Sequence, residues 1–519
     1  MPPKLTSISN VGETDEVIPT ITSMPRYDEA TPIEFRIVPR PGFLVVPQMR
    51  ILDRFQVLKV DPQGKKHQIV EDDQVCLINF AGMTRYKLIE IYLNQTLITR
   101  THYLHPLIAY LRALTEYTQF EKDFTLKRAG WFPDRTDAIA INEDRQKLTC
   151  QPSIEMLTPL MVDVFNHKQP FPDDVEITIR MFRAPLQYVI NGAPEPGWHF
   201  EINMLSAELL ITRLELERGK DVYSSIPGGT IMYSYPAYDP RQFIIPAGVF
   251  SVNEEILDGL PLPEQIVVLY LQQEAYNGAY ENNPFNFDHL FTKEVSLRRD
   301  DLVDIPAMPY KFDTIEITGD QLSDDLTKFG QPLLAKRSVA SGANKRHKRN
   351  TSAASEQNNN IDTVSAHTPS ATDEEVMPDH YFVQPGPPPK RKRQATSMSM
   401  PDPGAIQIVD DALKRKHNLL KLGNYARSYA EFMKGLGNWK NTKITYWEFT
   451  NGKFIQAFDT RVDRSPEPGE LPPMQPQKVS LRFQAKFQYN VLTPYIMLVL
   501  HLNRYTYSIS RGGRIRQTS

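Results

Sequence analysis

Cysteine is almost absent from this chain: Cys76 and Cys150 are the only two in 519 residues. Two cysteines cannot make a disulfide framework, so this is not a stapled secreted domain. An excess of charge of either sign is lacking too. The 59 Lys and Arg nearly balance the 62 Asp and Glu, leaving a net charge of −3, which gives no drive for nucleic-acid binding by global charge. Long hydrophobic runs are missing. The longest, Tyr495 to Leu502, falls far short of the ~20 residues of a transmembrane helix. The opening segment MPPKLTSISNVGETDE has no apolar core of the kind a signal peptide needs. Neither membrane insertion nor secretion is expected.

Motifs that carry chemistry are missing as well. There is no G-x-x-x-x-G-K-[ST], H-E-x-x-H, paired C-x-x-C or G-x-S-x-G, and the 11 His are scattered. The paired carboxylates Asp72-Asp73 and Asp300-Asp301 sit in turn-like contexts, where Asp is favoured for backbone reasons. No catalytic residue, metal site or cofactor is expected, and the chain does not read as an enzyme.

What the sequence does have is 42 Pro, 23 Tyr, 25 Phe and many β-branched residues, the composition of an all-β protein with irregular loops. Extended segments are expected at Ile33 to Val38, Met49 to Val60, Gln74 to Phe80, Tyr86 to Leu93 and Leu97 to Thr101, with a turn at Asn94-Gln95-Thr96. Leu104, Leu107, Ile108, Leu111 and Leu114 recur at helical spacing. Strands follow at Ile154 to Phe165 and Val175 to Phe182. A second series comprises Trp198 to Leu216, Thr230 to Tyr235, Gln242 to Val252, Ile266 to Leu271 and Phe291 to Leu297. Ile266 to Tyr270 is an unbroken apolar run, which predicts a strand buried on both faces. Tyr425, Tyr429, Phe432, Met433 and Leu436 predict one more helix. Closing strands are expected at Ile444 to Phe449, Lys453 to Phe458, Lys478 to Tyr489 and Tyr495 to Ile509. From Val479 to Tyr489 every second residue is apolar or aromatic, the strongest period-two signal in the chain.

Two sets of about eight strands, each with a conspicuous helix, predict two tandem jelly-roll β-sandwiches with short helices. Residues 1–30 read as a flexible arm, 31–190 as the first jelly roll and 191–519 as the second. A Ser/Ala/Asn/Pro-rich stretch at about 331–406 has no apolar periodicity and reads as a disordered insertion in the second roll. It carries two basic clusters, Lys345, Arg346, Lys348 and Arg349, then Lys390, Arg391, Lys392 and Arg393 after three prolines. These read as nuclear-import signals for an import receptor or as non-specific DNA contacts, against the plainer reading of solvated linker charge. The tail from Arg511 to Arg516 is either a phosphate contact or a frayed end. Between Leu271 and Phe291 lies an aromatic loop with Tyr276, Tyr280, Phe285 and Phe287. Its rings either anchor the loop to its own sandwich or form a contact with another subunit.

Ala275 to His289, AYNGAYENNPFNFDH, resembles a recurring block in capsid proteins of the Polinton, or Maverick, DNA transposons. Lys87 to Tyr117, Ala129-Gly130-Trp131-Phe132, Gly423 to Gly437 and the closing strands are similar to other parts of that family. The resemblance spans most of residues 30–330 and 420–510, and its specific motif is the Asn-Pro-Phe-Asn-Phe block. It implies a double jelly-roll major capsid protein that partners itself, as a homotrimer and in higher assembly. Such a protein would be made in the cytoplasm and found in a virion-like particle or the host nucleus. The 331–406 insertion departs from the compact family pattern and reads as a surface or interior extension, or as the mark of an integrated relic under host use. The rival readings are a penton-like minor capsid protein, which would need only a single jelly roll, and a host-adopted nuclear interaction protein.

Overall fold

The computed structural model describes residues 8–19, 24–28, 30–101, 103–134, 141–167, 169–216, 223, 229–300, 303–311, 425–435, 444–450, 452–460 and 478–518. Strands dominate them. In the first half the main ones, strands of two or three residues aside, are β1 (Ile8–Val17), β2 (Ile33–Ile37), β3 (Arg50–Val60), β4 (Tyr86–Leu93), β5 (Thr96–Arg100), β6 (Ile154–Pro159), β7 (Ile177–Arg183) and β8 (His199–Leu216). In the second half they are β9 (Thr230–Ile245), β10 (Ser251–Pro261), β11 (Gln265–Gln272), β12 (Thr292–Arg299), β13 (Val303–Lys311), β14 (Ile455–Asp459), β15 (Lys478–Phe487) and β16 (Tyr495–Ser510).

All pairings among them are antiparallel, and the two halves share one permutation. The first half has one sheet in the order β1-β8-β3-β6 and another in the order β2-β7-β4-β5. The second has β9-β16-β11-β14 and β10-β15-β12-β13. In each half the first strand therefore pairs with the eighth and the second with the seventh, which is jelly-roll connectivity. The protein is two tandem jelly-roll sandwiches.

Local sequence explains the elements. β11 lies between β16 and β14 and is buried from Gln265 to Leu271, so both of its faces are apolar. β15 alternates buried and half-exposed residues along its length, as a half-buried strand must. The β4–β5 turn places Asn94 and Gln95 at φ 44° and 66°, the left-handed region that Asn tolerates well. In both rolls the connection between the fifth and sixth strands carries helices: α1 (His105–Glu116) and α2 (Glu143–Thr149) in the first, α3 (Ala426–Gly435) and α4 (Tyr446–Thr450) in the second. The buried apolar side chains of both rolls form one continuous cluster.

Four expectations need correction. The segment 1–30 contains strand β1, whose Val17 lies opposite Leu209 and whose Ile8 lies opposite Leu216. Its polar sequence, ISNVGETDEV, gives no apolar alternation, because an edge strand is held by backbone pairing. The boundary near 190 also moves. β8 pairs with β3 on one edge and β1 on the other, so it closes the first roll, and the second begins at β9. Ile444 to Phe449 is not a strand. Thr445 and Glu448 form a capping box, with Glu448 N donating to Thr445 Oγ1 at 3.2 Å and Thr445 N to Glu448 Oε2 at 2.8 Å, and that box starts α4. The tail is not frayed, since Arg514–Thr518 pairs with the end of β16. Strand β13 was not anticipated, because Pro306 and Pro309 disguise it; as an edge strand it tolerates both. The 331–406 insertion and both basic clusters lie outside the described residues.

Candidate functional site

The aromatic loop sits where the two rolls meet. It leaves β11 through a short helical turn, Gln273–Asn277, and crosses to the first roll. Gly278 makes the crossing possible. At φ +90° it lies so close to Tyr188 that an added Cβ would be 3.1 Å from the Tyr188 nitrogen. Beyond it, Gly192 N donates to the Tyr280 carbonyl at 2.7 Å. The Tyr280 ring meets Phe200 edge-on at 5.6 Å. Phe285 lies flat on Tyr110 of α1, with ring centroids 4.2 Å apart and planes 4° from parallel, and meets Tyr188 edge-on. Phe287 meets Tyr110 edge-on, and its backbone pairs both ways with the strand entering β14: Phe287 N to Gly452 O at 2.8 Å, and Phe454 N to Phe287 O at 3.1 Å.

Below the stacked rings lies a buried charge network. The Asp134 carboxylate accepts from Tyr110 Oη at 2.7 Å and Arg145 at 2.5 Å, and pairs with Lys453 Nζ at 3.1 Å. Lys453 Nζ also donates to the Phe285 carbonyl at 2.8 Å. Burial alone would raise the Asp134 carboxyl. The two cations and the bonds from Arg145 and Tyr110 outweigh it and hold the group well below the usual carboxylate range. Burial pushes the Lys453 ammonium down, and Asp134 opposes that shift. Asp134 and Arg145 belong to the first roll and Lys453 to the second, so the network pins the rolls in register.

A second contact lies farther along. Tyr233 of β9 and Tyr507 of β16 stack at 5.0 Å against His167 and Phe171 of the first roll, and Tyr233 Oη donates to the Pro170 carbonyl at 2.9 Å. Asn94 Nδ2 donates to the Gly513 carbonyl at 2.8 Å.

This geometry corrects one expectation. Phe285 and Phe287 are 0% exposed and are spent inside the chain, so they offer no area to another subunit. Tyr276 and Tyr280 are half-buried and pack on the same core. The loop is an internal clamp. The apolar side chains left uncovered lie elsewhere. Phe120 and Phe124 stack on each other at 4.4 Å and are 70% and 62% exposed. At one corner of the second roll, Ile244, Phe250 and Leu492 are 65%, 60% and 81% exposed. The loops bearing Phe250 and Leu492 run side by side, joined by Gly248 N to Val491 O at 2.7 Å and Val491 N to Val249 O at 3.0 Å. Exposed large apolar side chains on neighbouring loops are candidates for contact sites.

Perturbed buried charges mark candidate catalytic sites, but the ion pairs of the first roll are closed inside it. Asp53 with Arg85 and Asp173 with Arg213 are ion pairs within the first roll, fully or nearly fully buried. Asp73 pairs with Lys59 and caps its own turn, and Asp300 accepts from Ser480 N at 2.9 Å. Among the described residues no three His, Cys, Asp or Glu side chains converge as metal ligands, and no helix is long and apolar enough to cross a membrane.

No family model matches the sequence. An uncharacterised protein of Caenorhabditis elegans is 19% identical over 213 residues, a match covering 40% of this chain and 51% of that protein. The chain thus spans about half the length of the curated relative it matches. Two solved structures resemble the fold along the whole chain. The mavirus major capsid protein has a TM-score of 0.50 at 10% identity, covering 100% of this chain and 92% of that one. A chain of the Sputnik virophage has a TM-score of 0.52 at 10% identity, covering 99% and 89%. At such identities the likeness is one of fold.

Proposed function

We propose that this chain is the major capsid protein of a virus-derived mobile element of the Polinton or Maverick kind, and that its activity is self-association into trimeric capsomers. The observation that carries this reading is the repeated permutation: two jelly rolls of one connectivity, clamped into a single block by the Asn-Pro-Phe-Asn-Phe loop. Three such blocks about a threefold axis present six similar rolls, a pseudo-hexagonal tile that closes into a shell. A penton-like component needs one roll, and this chain has two. The exposed Phe120–Phe124 pair and the Ile244, Phe250, Leu492 corner are the surfaces we assign to contacts between copies.

Light scattering on the purified full chain tests the proposal. A particle of three times the 59.6 kDa chain mass, or a larger assembly, supports it. A monomer at every concentration sinks it and favours a host-adopted interaction protein. The basic clusters at Lys345–Arg349 and Lys390–Arg393 we assign to import by a nuclear receptor, placing assembly in the nucleus after synthesis in the cytoplasm. Deleting both from a fluorescently tagged chain is expected to leave it cytoplasmic; unchanged nuclear entry contradicts the assignment.

A further inference from the structure

A cavity of about 480 Å³ opens between the two rolls, against the start of α1. The first roll lines it with Ile98 and Thr99 of β5, His105 and Ile108 of α1, and Asp163; the second adds Tyr235, Tyr238 and Asp239 of β9 and Tyr505 of β16. Its volume lies in the range of sites for small organic molecules, roughly 300–1,000 Å³. Three features define what would fit. First, the wall is negative. Asp239 accepts from Tyr505 Oη at 2.6 Å and Asn503 Nδ2 at 2.5 Å, bonds from neutral donors that leave its charge in place. Asp163 pairs with Arg112, but Arg112 is shared with Glu116. Burial raises the Asp163 carboxyl and favours its neutral form, with Arg112 opposing that shift, so the negative charge of this wall is that of Asp239. Second, Tyr235 and Tyr505 lie roughly parallel at 6.0 Å and provide aromatic faces of the kind cations seek. Third, His105 is 2% exposed and its Nε2 has no hydrogen-bond partner. Burial, with Arg112 nearby, lowers its pKa to about 3. It is therefore neutral at physiological pH, and Nε2 accepts when the proton is on Nδ1.

We propose that this cavity binds a small organic cation, an alkyl ammonium of the diamine class. Its ammonium would face Asp239 and the tyrosine rings and donate to His105 Nε2. Asp239 disfavours anions. Because the walls come from both rolls, occupancy would also tighten the junction between them. This inference is independent of the capsid reading.

Isothermal titration of the full chain with putrescine, at constant ionic strength, tests it. Calcium chloride and sodium acetate serve as competing probes. The expected result is saturable binding of putrescine and a raised melting temperature. Binding should weaken at least about tenfold, a loss of about 1.4 kcal/mol, in Asp239→Asn, which removes the charge and keeps an acceptor for Tyr505. Ala237 of β9 also lines the cavity; Ala237→Leu, which fills it without touching a charge, is expected to weaken binding as well and carries the test if Asp239→Asn does not fold. No heat with putrescine up to about 10 mM, saturation by calcium or acetate alone, or equal affinity in the wild type and Asp239→Asn overturns the proposal.

Discussion

Removing the Phe285 ring should open the seam between the two rolls. Phe285 is 0% exposed, stacks on Tyr110 at 4.2 Å and touches Tyr188 edge-on. A buried phenylalanine removes roughly 150–250 Å² from water. At about 25 cal/mol per Å² that is worth about 4–6 kcal/mol, an upper bound because an unfolded chain already hides part of it. Phe→Ala changes in packed cores cost about 3–5 kcal/mol, so the two routes agree near 4 kcal/mol. That is a large share of the roughly 5–15 kcal/mol that separates folded from unfolded states. The assay is urea unfolding followed by tryptophan fluorescence in a background with Trp198, Trp439 and Trp447 changed to Phe, so that Trp131 alone emits. Trp131 is buried and stacks on the other side of the same cluster, 5.3 Å from Tyr110, so it reports on this seam. A cycle pairing Phe285→Ala with Tyr110→Leu should show a coupling of about 0.5–1.5 kcal/mol, the aromatic pair's own contribution. A loss below about 1 kcal/mol for Phe285→Ala would mean that the ring is not clamped, and the derivation of a single two-roll block would fail with it.

Other perturbations discriminate further. Asp134→Asn strands the buried cations Arg145 and Lys453 without their shared counter-charge and should cost about 3–5 kcal/mol; Lys453→Met leaves a balanced Asp134–Arg145 pair and should cost clearly less in the same urea assay. Burial, with Arg241 adding to it, lowers the His501 pKa to about 4, below its unfolded value, so its neutral form is favoured in the fold. The stability tied to it is intact above about pH 6.5 and falls by about 1.4 kcal/mol per unit as pH drops toward 4. His501→Gln should flatten the melting-temperature profile by that one proton, and an unchanged profile refutes the assignment. Leu492→Asp and Phe250→Asp alter exposed positions and should move stability by no more than about 0.5 kcal/mol, while lowering the particle mass seen by light scattering. A variant that keeps full assembly removes this corner from the interface.

Much of the architecture is legible in the sequence because burial patterns there are extreme. The unbroken run Ile266 to Leu271 can sit only in the middle of a sheet, and it does. The alternation from Val479 to Phe487 could face only one way. Strands whose place is fixed by backbone pairing left no such mark. β1 is polar, and β13 carries two prolines, so both edge strands needed a partner to be seen. The missed α4 had a legible signal in Thr445-x-x-Glu448, overridden by the β-branched and aromatic composition around it. The aromatic loop was found, but its role turned on long-range contacts. Nothing near Phe285 indicates that Tyr110, 175 positions earlier, lies beneath it. Nor does the sequence around Lys453 point to Asp134, its ion-pair partner 319 positions away.

The account rests on a two-roll block made to tile. Electron microscopy of the purified full-length chain, with and without the Leu492→Asp change, tests this directly. The account predicts closed shells or sheets of pseudo-hexagonal units for the wild type and their loss in the variant. Dispersed single chains in both samples would contradict it.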